Sequence, residues 1–379
     1  MRSNEYTPNF RVAWLASLIM RRYLELHSAK TRTRTLRMNL QYFLITWILS
    51  CSFCSEAMAN DESAAGNRSD SPKAIRKDKQ QVANLAGKAG RIPADMKVID
   101  NIIFKSVDDV KLDLMLFLPA EKKFEKSPLV VYFHGGGWGG GDKFKIFGRD
   151  LVEVIRELNK RGITCDSVEY RLANGKPATA NESVADCKDA VRFLAHQVQA
   201  IKYGLDSERI GTFGSSAGGH LTLVAALGND QDYPCDPTLN DSGAKICCVA
   251  AYYPMTSFVR PELFDGSNFE RPTRFVPILG GLPDAKRELA LKLSPIELLN
   301  PQSPAIFLAH GDNDEVLSVK NSTTLRDAAQ SIGVPVECII SKGAGHGFRG
   351  DSIEPSIATI NARTVDFFVR YLIPNGESR

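Results

Sequence analysis

The sequence predicts an α/β domain built on a doubly wound, mostly parallel sheet of about eight strands with helices on both faces. Strand-like and helix-like segments alternate from Met96 to the C-terminus, which is the pattern of parallel βαβ units. Several strand-like runs, among them residues 129–133, are short and continuously apolar, as strands buried on both faces are. Chemically suggestive motifs follow such runs directly, at the sheet edge where parallel strands end and ligands bind.

The predicted strands begin with an antiparallel pair and continue as βαβ units. In the second strand Leu112, Leu114, Leu116 and Leu118 alternate with other residues and therefore share one face, and Pro119 ends the strand. The predicted strands are residues 98–107, 111–118, 129–133, 163–170, 210–213, 246–252, 304–309 and 336–340. Apolar residues at helical spacing predict helices over residues 147–158 and 184–194, and further helices at about 216–228, 318–332 and 356–372.

Residues 1–59 are predicted to be a leader. Arginines precede Met38, an apolar run follows over residues 42–53, and residues 57–59 (Ala-Met-Ala) offer a small-residue cleavage site. This pattern is typical of a secretory signal peptide, with Met38 as the expected true start. A lipoprotein-like box at residues 48–51 and an uncleaved membrane anchor are the alternatives. We therefore expect a secreted protein, or one of the periplasm or cell envelope.

Residues 60–95 are polar and lack aromatic side chains, which predicts a flexible linker, and residues 96–379 remain as one catalytic α/β domain. The leader holds eight basic and three acidic side chains, a charge of +5, so the rest of the chain carries −2 although the whole chain is +3. That balance argues against a nucleic-acid partner. No membrane contact is expected beyond the possible N-terminal anchor.

The cysteines predict neither a metal site nor a cofactor, because no Cys or His pair has ligand spacing. Cys165, Cys187 and Cys338 occupy predicted core positions, as buried thiols do. A disulfide from Cys235 to Cys247 or Cys248 is an open alternative for an exported protein.

Ser216 is the candidate nucleophile. It stands in Gly214-Ser-Ser-Ala-Gly218, between a β-prone run and a helix-prone one, as a nucleophile elbow requires. The small residues on either side leave room for a strand that turns directly into a helix.

A glycine loop, residues 134–138 (His-Gly-Gly-Gly-Trp), follows the third predicted strand. We expect the backbone N–H groups of Gly136 and Gly137, together with that of Ala217, to form an oxyanion hole. A dinucleotide-binding glycine loop is the alternative, but no acidic residue stands at the distance that would bind a ribose. Trp138, and Ser215 beside the nucleophile, are candidate substrate contacts.

Asp314 and His346 complete a predicted catalytic triad with Ser216. Each follows a predicted strand, and the chain order Ser, Asp, His is the one found when this triad sits on such a sheet. A serine hydroxyl needs a neutral imidazole to take its proton, and a carboxylate must fix the tautomer of that imidazole. Asp312 is the main rival acid and Glu315 a weaker one.

Two long segments at strand ends are predicted to shape the substrate pocket, residues 228–245 and residues 253–293. The second is rich in phenylalanine, and Phe258 is our candidate substrate contact there. The alternative is that these phenylalanines form a satellite core without ligand contact.

Taken together, the motifs resemble the hormone-sensitive-lipase-like branch of the α/β-hydrolases, most of all its bacterial bifunctional feruloyl and acetyl-xylan esterases. The resemblance covers residues 97–372 and rests on the glycine loop, the elbow and four further stretches: Tyr170-Arg-Leu-Ala173, Ser294-Pro-Ile296, His310-Gly-x-x-Asp314 and Gly345-His-Gly-Phe348. It implies the α/β-hydrolase fold and an acyl-enzyme ester hydrolase without a cofactor, with the triad and oxyanion donors already named. The chain departs from the lipase-like pattern in three ways. Ser215 stands where many lipase-like members carry an acid, Ala173 is not followed by the usual Pro-Glu, and no N-terminal helical cap is evident. Lipase-like acyl preferences are therefore not carried over.

The leading functional hypothesis is a serine carboxylesterase that acts on small acyl esters, acetyl or feruloyl, of small molecules or carbohydrates. An amide-bond hydrolase with the same triad, a peptidase or an aryl-formamidase, is the first alternative, because the acyl-enzyme mechanism does not itself select the leaving group. A non-catalytic binding module on a hydrolase scaffold is the second.

Overall fold

A computed structural model describes residues 91–107, 109–148, 150–174, 178–233, 236–239 and 244–374. The predicted signal peptide, most of the predicted linker and Cys235 lie outside these ranges and stay predictions. The strands of the described chain are β1 (Lys97–Val107), β2 (Val110–Leu118), β3 (Ser127–Phe133), β4 (Thr164–Val168), β5 (Leu205–Ser215), β6 (Ile246–Tyr252), β7 (Ala305–Gly311) and β8 (Val336–Ser341).

These strands form one sheet in the order β1-β2-β4-β3-β5-β6-β7-β8. The strand β2 pairs antiparallel with β1 and with β4, and all other neighbours are parallel. The predicted opening antiparallel pair and the mostly parallel sheet are therefore confirmed, and the architecture is the α/β-hydrolase fold. Because β3 to β8 run in the same direction, their carboxyl ends share one edge of the sheet, where ligands bind in folds of this kind.

Helices cover both faces of the sheet. The helices are α1 (Leu151–Lys160), α2 (Ala180–Ala195), α3 (Gln197–Tyr203), α4 (Ala217–Leu227), α5 (Val276–Leu279), α6 (Arg287–Lys292), α7 (Pro295–Leu298), α8 (Lys320–Ser331) and α9 (Ile357–Leu372). Apolar residues of α1 and α9 belong to the core on one face, and those of α2, α4 and α8 belong to the core on the other. No helix in the described ranges is long and apolar enough to cross a membrane.

The strand β2 is more deeply buried than its alternating leucines predict. Leu114 and Leu116 point into one core as expected, but Met115 and Phe117 are equally buried in the opposite core. The reason is the position of β2 between β1 and β4, inside a sheet that carries helices on both faces.

Buried ion pairs hold the segment after β4 against α2. The Arg171 guanidinium donates to both carboxylate oxygens of Asp186, over 2.8 and 2.9 Å, and Lys105 of β1 also pairs with this aspartate. The neighbouring Tyr170 stacks on His134 with the ring centroids 4.2 Å apart, and its hydroxyl donates to the His134 carbonyl oxygen. These two contacts with Tyr170 hold His134, the first residue of the glycine loop, in place.

Cys247 and Cys248 form no disulfide with another described residue, and the Sγ atom of Cys247 lies 3.0 Å from the Glu208 carbonyl oxygen. Cys235 lies outside the described residues, so a disulfide from it to either of them stays a prediction.

Candidate active site

Ser216 occupies a strained position between β5 and α4. Its φ of 58° and ψ of −122° are unfavourable for a residue with a Cβ atom, and such strain concentrates at functional sites. A Cβ atom at Gly214 would lie 2.1 Å from the Gly218 carbonyl oxygen, and one at Gly218 would lie 2.0 Å from that of Phe133. Only glycines therefore fit on either side of the sharp turn that exposes the serine.

Three residues from three different strand ends meet at this turn. The His346 Nε2 atom lies 3.0 Å from Ser216 Oγ, and the Nδ1 atom of the same ring lies 2.8 Å from Asp314 Oδ2. The three side chains are thus connected in the order hydroxyl, imidazole, carboxylate. This is the geometry that lets an imidazole act as a base toward a serine.

The surroundings of Asp314 keep it ionised and oriented. Burial raises the pKa of this carboxyl, but hydrogen bonds from His310 and His346 outweigh that effect and hold the pKa below its ordinary value. Its Oδ1 atom accepts from the backbone N–H groups of Val316 (2.8 Å) and Leu317 (2.9 Å). The rival Asp312 is exposed and accepts from Gly343 N instead.

His310 approaches the same carboxylate oxygen of Asp314 as His346 does. Its Nε2 atom lies 2.8 Å from the Leu317 carbonyl oxygen and 3.3 Å from Asp314 Oδ2, while its Nδ1 atom lies 2.8 Å from Ser322 Oγ. The sequence pattern did not predict this contact between His310 and the carboxylate.

The glycine loop lies beside Ser216 and presents backbone N–H groups. Gly136 has a φ of 143°, and a Cβ atom there would lie 1.9 Å from the Gly140 carbonyl oxygen, so the loop can close only with glycine at this position. Among the described residues, no backbone carbonyl accepts from the N–H of Gly136 or Gly137. Ala217 is the first residue of α4, where N–H groups lack an intrahelical acceptor.

Trp138 anchors the end of the glycine loop to α4. Its side chain is 1% exposed, and Nε1 donates to His220 Nδ1 over 3.0 Å. The other ring nitrogen, Nε2, then carries the proton and donates to the Leu293 carbonyl oxygen over 2.7 Å. Burial lowers the pKa of His220 to about 4, which keeps it neutral and able to accept from the indole.

The buried His134 of the glycine loop lies beside the half-buried Glu169. Their side chains approach to 3.9 Å, but burial lowers the pKa of His134 to about 4 and raises that of Glu169 to about 7. The histidine is therefore neutral near pH 7, and the pair is not a salt bridge. Ionising Glu169 costs the folded protein free energy, because its carboxylate would be buried without a counter-charge on His134.

Replacing Glu169 with glutamine is expected to stabilise the protein at alkaline pH. The folded pKa lies above the ordinary value of 4.5, so wild-type protein loses stability relative to the variant as the pH rises from 4.5 to about 7, and the difference stays constant at higher pH. Glutamine keeps the acceptor for Lys143 N. We expect a gain in the free energy of unfolding of about 1 to 3 kcal/mol at pH 8 that shrinks toward zero at pH 5, measured by urea denaturation. The surface variant Glu125→Gln is the control, and an equal gain at both pH values would contradict the assignment.

A cavity of about 580 Å³ opens over Ser216 and His346. The glycine loop with Trp138, and Ser215, are among the residues that line it. Its apolar walls come from Phe144, Phe147, Leu151, Phe269, Val316 and Leu317. Of the two segments predicted to shape it, residues 253–293 contribute, whereas no described part of residues 228–245 reaches it.

Phe258 is a correction to the predicted substrate contacts. It is fully buried and packs behind Trp138, His220 and Phe275, so it supports the wall without lining the cavity. Phe269 lines the cavity instead. The alternative of a satellite aromatic core therefore fits Phe258, and the substrate-pocket prediction fits Phe269.

Tyr253 is a site residue without a motif. It lines the cavity, its ring meets the His346 imidazole edge to face at a centroid distance of 4.8 Å, and its φ of 37° is strained. The contact restricts the imidazole to the orientation that faces Ser216. The only feature of the sequence that points to Tyr253 is its position directly after β6, at the edge of the sheet where the site lies.

The chain is similar to several known proteins. A protein-family model described as BD-FAE matches residues 112–329. A rice protein named "Probable isoprenylcysteine alpha-carbonyl methylesterase ICME" (Oryza sativa subsp. japonica) is 28% identical over 289 residues, which cover 71% of this chain and 65% of its own length. Esterase LipC of Mycobacterium tuberculosis is 28% identical over 229 residues, 59% of this chain and 53% of its own. This chain thus spans half to two thirds of the length of these relatives.

Solved structures share the fold. Esterase 2 of Thermogutta terrifontis superposes with a TM-score of 0.59 at 23% sequence identity, over 76% of this chain and 96% of that one. A carbohydrate esterase from gut microbiota, in truncated form, gives a TM-score of 0.59 at 21% identity, over 73% and 97%.

Proposed function

The chain belongs to the BD-FAE family, and from this membership we propose that it is a serine carboxylesterase that hydrolyses small acyl esters through an acyl-enzyme. The observation that carries the proposal is the 3.0 Å approach of His346 Nε2 to Ser216 Oγ, with Asp314 on the far side of the ring. Relatives named as esterases support the same reaction class.

The proposed first step is acylation. Nδ1–H of His346 donates to Asp314, so Nε2 is unprotonated and takes the Ser216 proton as Oγ bonds to the ester carbonyl carbon. The carbonyl π electrons move to oxygen, and the oxyanion accepts hydrogen bonds from the N–H groups of Gly136, Gly137 and Ala217. Collapse of this intermediate breaks the bond to the leaving oxygen, which receives the proton from His346.

Deacylation repeats the sequence with water. His346 takes a proton from water, the hydroxide oxygen adds to the acyl carbon, and the bond to Ser216 Oγ breaks as the serine regains its proton. The ionised Asp314 stabilises the imidazolium that forms in both steps. Each step conserves charge and atoms, and neither needs a cofactor.

We propose an acetyl or feruloyl ester, of a small molecule or a carbohydrate, as the substrate. The cavity is large enough for a planar aromatic acyl group, and its phenylalanine walls suit one. The methylesterase named among the relatives favours a carboxylic methyl ester as a second candidate. An acetyl ester has its small group on the acyl side, whereas a methyl ester has it on the alcohol side.

A matched series of esters and amides tests the reaction class. We expect measurable kcat/KM for p-nitrophenyl acetate and at least about 100-fold less for the corresponding anilide, since the amide nitrogen is a poorer leaving group. Acetylated oligosaccharides, feruloyl esters and methyl esters, assayed in parallel, decide between the substrate candidates. Comparable rates on the anilide would favour the amide hydrolase, and no turnover together with no labelling by a fluorophosphonate would favour the binding module.

A further inference from the structure

Two cationic side chains, Lys145 and Arg91, line the catalytic cavity, and no aspartate or glutamate does so among the described residues. The catalytic carboxylate of Asp314 lies behind the imidazole and is hydrogen-bonded on both oxygens. The described lining of the catalytic cavity therefore carries two positive charges and no acidic side chain. Low-dielectric walls, such as the phenylalanines here, strengthen the field of such charges.

The placement of Lys145 differs from that of its neighbour Lys143. Both belong to the short 3-10 helix that follows the glycine loop, Lys143–Phe147. Lys143 is buried and pairs with Asp100 and Asp113, so it serves the fold. Lys145 is exposed on the cavity side and has no ion pair among the described residues.

Asp142 is the acid nearest to Lys145 in sequence. Asp142 is the N-cap of the same short helix, and its carboxylate accepts from Phe144 N over 3.0 Å. Asp142 does not line the cavity. Arg91 likewise has no acidic partner in the described part of the chain.

We propose that the preferred substrate is an ester that carries a carboxylate, which Lys145 and Arg91 bind at the cavity wall. This inference rests on the proposed esterase function and narrows its substrate class to anionic esters, such as acylated acidic saccharides or half-esters of dicarboxylic acids. Arginine and lysine attract a carboxylate at partly exposed sites mainly by charge, which raises the rate of productive encounter. The acyl side and the alcohol side are two possible origins of the carboxylate, and the experiment separates them.

The test compares two matched substrate pairs on the full chain. Phenyl acetate and 4-acetoxybenzoate differ by a carboxylate on the leaving group, and p-nitrophenyl butyrate and p-nitrophenyl hemisuccinate differ by one on the acyl group. The quantity measured is the ratio of kcat/KM for the anionic ester to that for the neutral ester, in wild type and in each variant. Because the same esters are used throughout, their intrinsic reactivities cancel.

We expect Lys145→Met to lower this ratio about 3- to 10-fold in at least one pair, and Arg91→Gln to lower it in the same pair about 2- to 5-fold. The affected pair identifies the side that carries the carboxylate. The exposed Lys122→Met, remote from the cavity, is the matched control. Raising the ionic strength from about 0.01 to about 1 M shortens the screening length from about 30 to about 3 Å and should reduce the wild-type ratio toward that of Lys145→Met.

Ratios that stay within twofold of wild type for both variants and both pairs would overturn the proposal, even while neutral esters are hydrolysed and the esterase function stands. An equal decrease with Lys122→Met would overturn it as well, because the effect would then be one of overall charge. If wild type hydrolyses none of the four esters, the esterase function itself fails, and the substrate inference fails with it.

Discussion

Ser216→Ala is expected to lower kcat/KM for p-nitrophenyl acetate by about 10⁴-fold or more. The alanine removes the only atom that can bond to the acyl carbon in the proposed mechanism, while the glycine loop and the cavity remain. Residual turnover then reflects oxyanion stabilisation and binding alone. The variant should also lose covalent labelling by a fluorophosphonate, which reacts with an activated serine.

The matched control is Ser106→Ala, on the exposed edge strand β1, which should retain wild-type kinetics. Thermal unfolding of each variant checks the fold. Alanine should fit the strained backbone at position 216 as well as serine does, because both residues carry a Cβ atom. Activity within tenfold of wild type in Ser216→Ala would mean that another group attacks the ester, and the proposed mechanism would be abandoned.

The central strands could be predicted because burial on both faces requires a short, continuously apolar run, which is visible in the sequence. Every predicted strand is present, and the differences are at the ends. The strand β5 begins at Leu205, five residues before its predicted start, because a polar stretch continues the strand and Leu205 itself pairs with Ser127. Polar residues at strand ends carry no apolar pattern, so pairing with a distant strand decides their state.

The residues of the site differ in how far the sequence reveals them. Gly136 and Ser216 stand in motifs whose spacing reflects backbone geometry, and their local conformations follow from nearby residues. Phe269 and Tyr253 reach the cavity from segments distant in sequence from both motifs, and Lys145 reaches it from the short 3-10 helix after the glycine loop. No local pattern separates Phe269 from Phe258, since only the packing of Phe258 behind Trp138 keeps it out of the cavity.

Asp314→Asn is expected to lower kcat by about 10⁴-fold near pH 7 with little change in the fold. The asparagine Oδ1 atom can keep both backbone hydrogen bonds, from Val316 and Leu317, so its amide nitrogen replaces Oδ2. That nitrogen donates and would face Nδ1 of His346, which must then accept. The ring proton moves to Nε2, and the base that Ser216 needs is lost.

The same substitution at Asp312 is the matched control, since this rival acid lies two residues away on the same loop and bonds Gly343 N without touching His346. Asp312→Asn should keep kcat within a few-fold of wild type. The loss in Asp314→Asn should lessen as the pH rises, because hydroxide can then remove the serine proton in place of the imidazole. If Asp312→Asn lost activity and Asp314→Asn kept it, the acid of the triad would be Asp312, and the 2.8 Å contact between Asp314 and His346 would have no catalytic meaning.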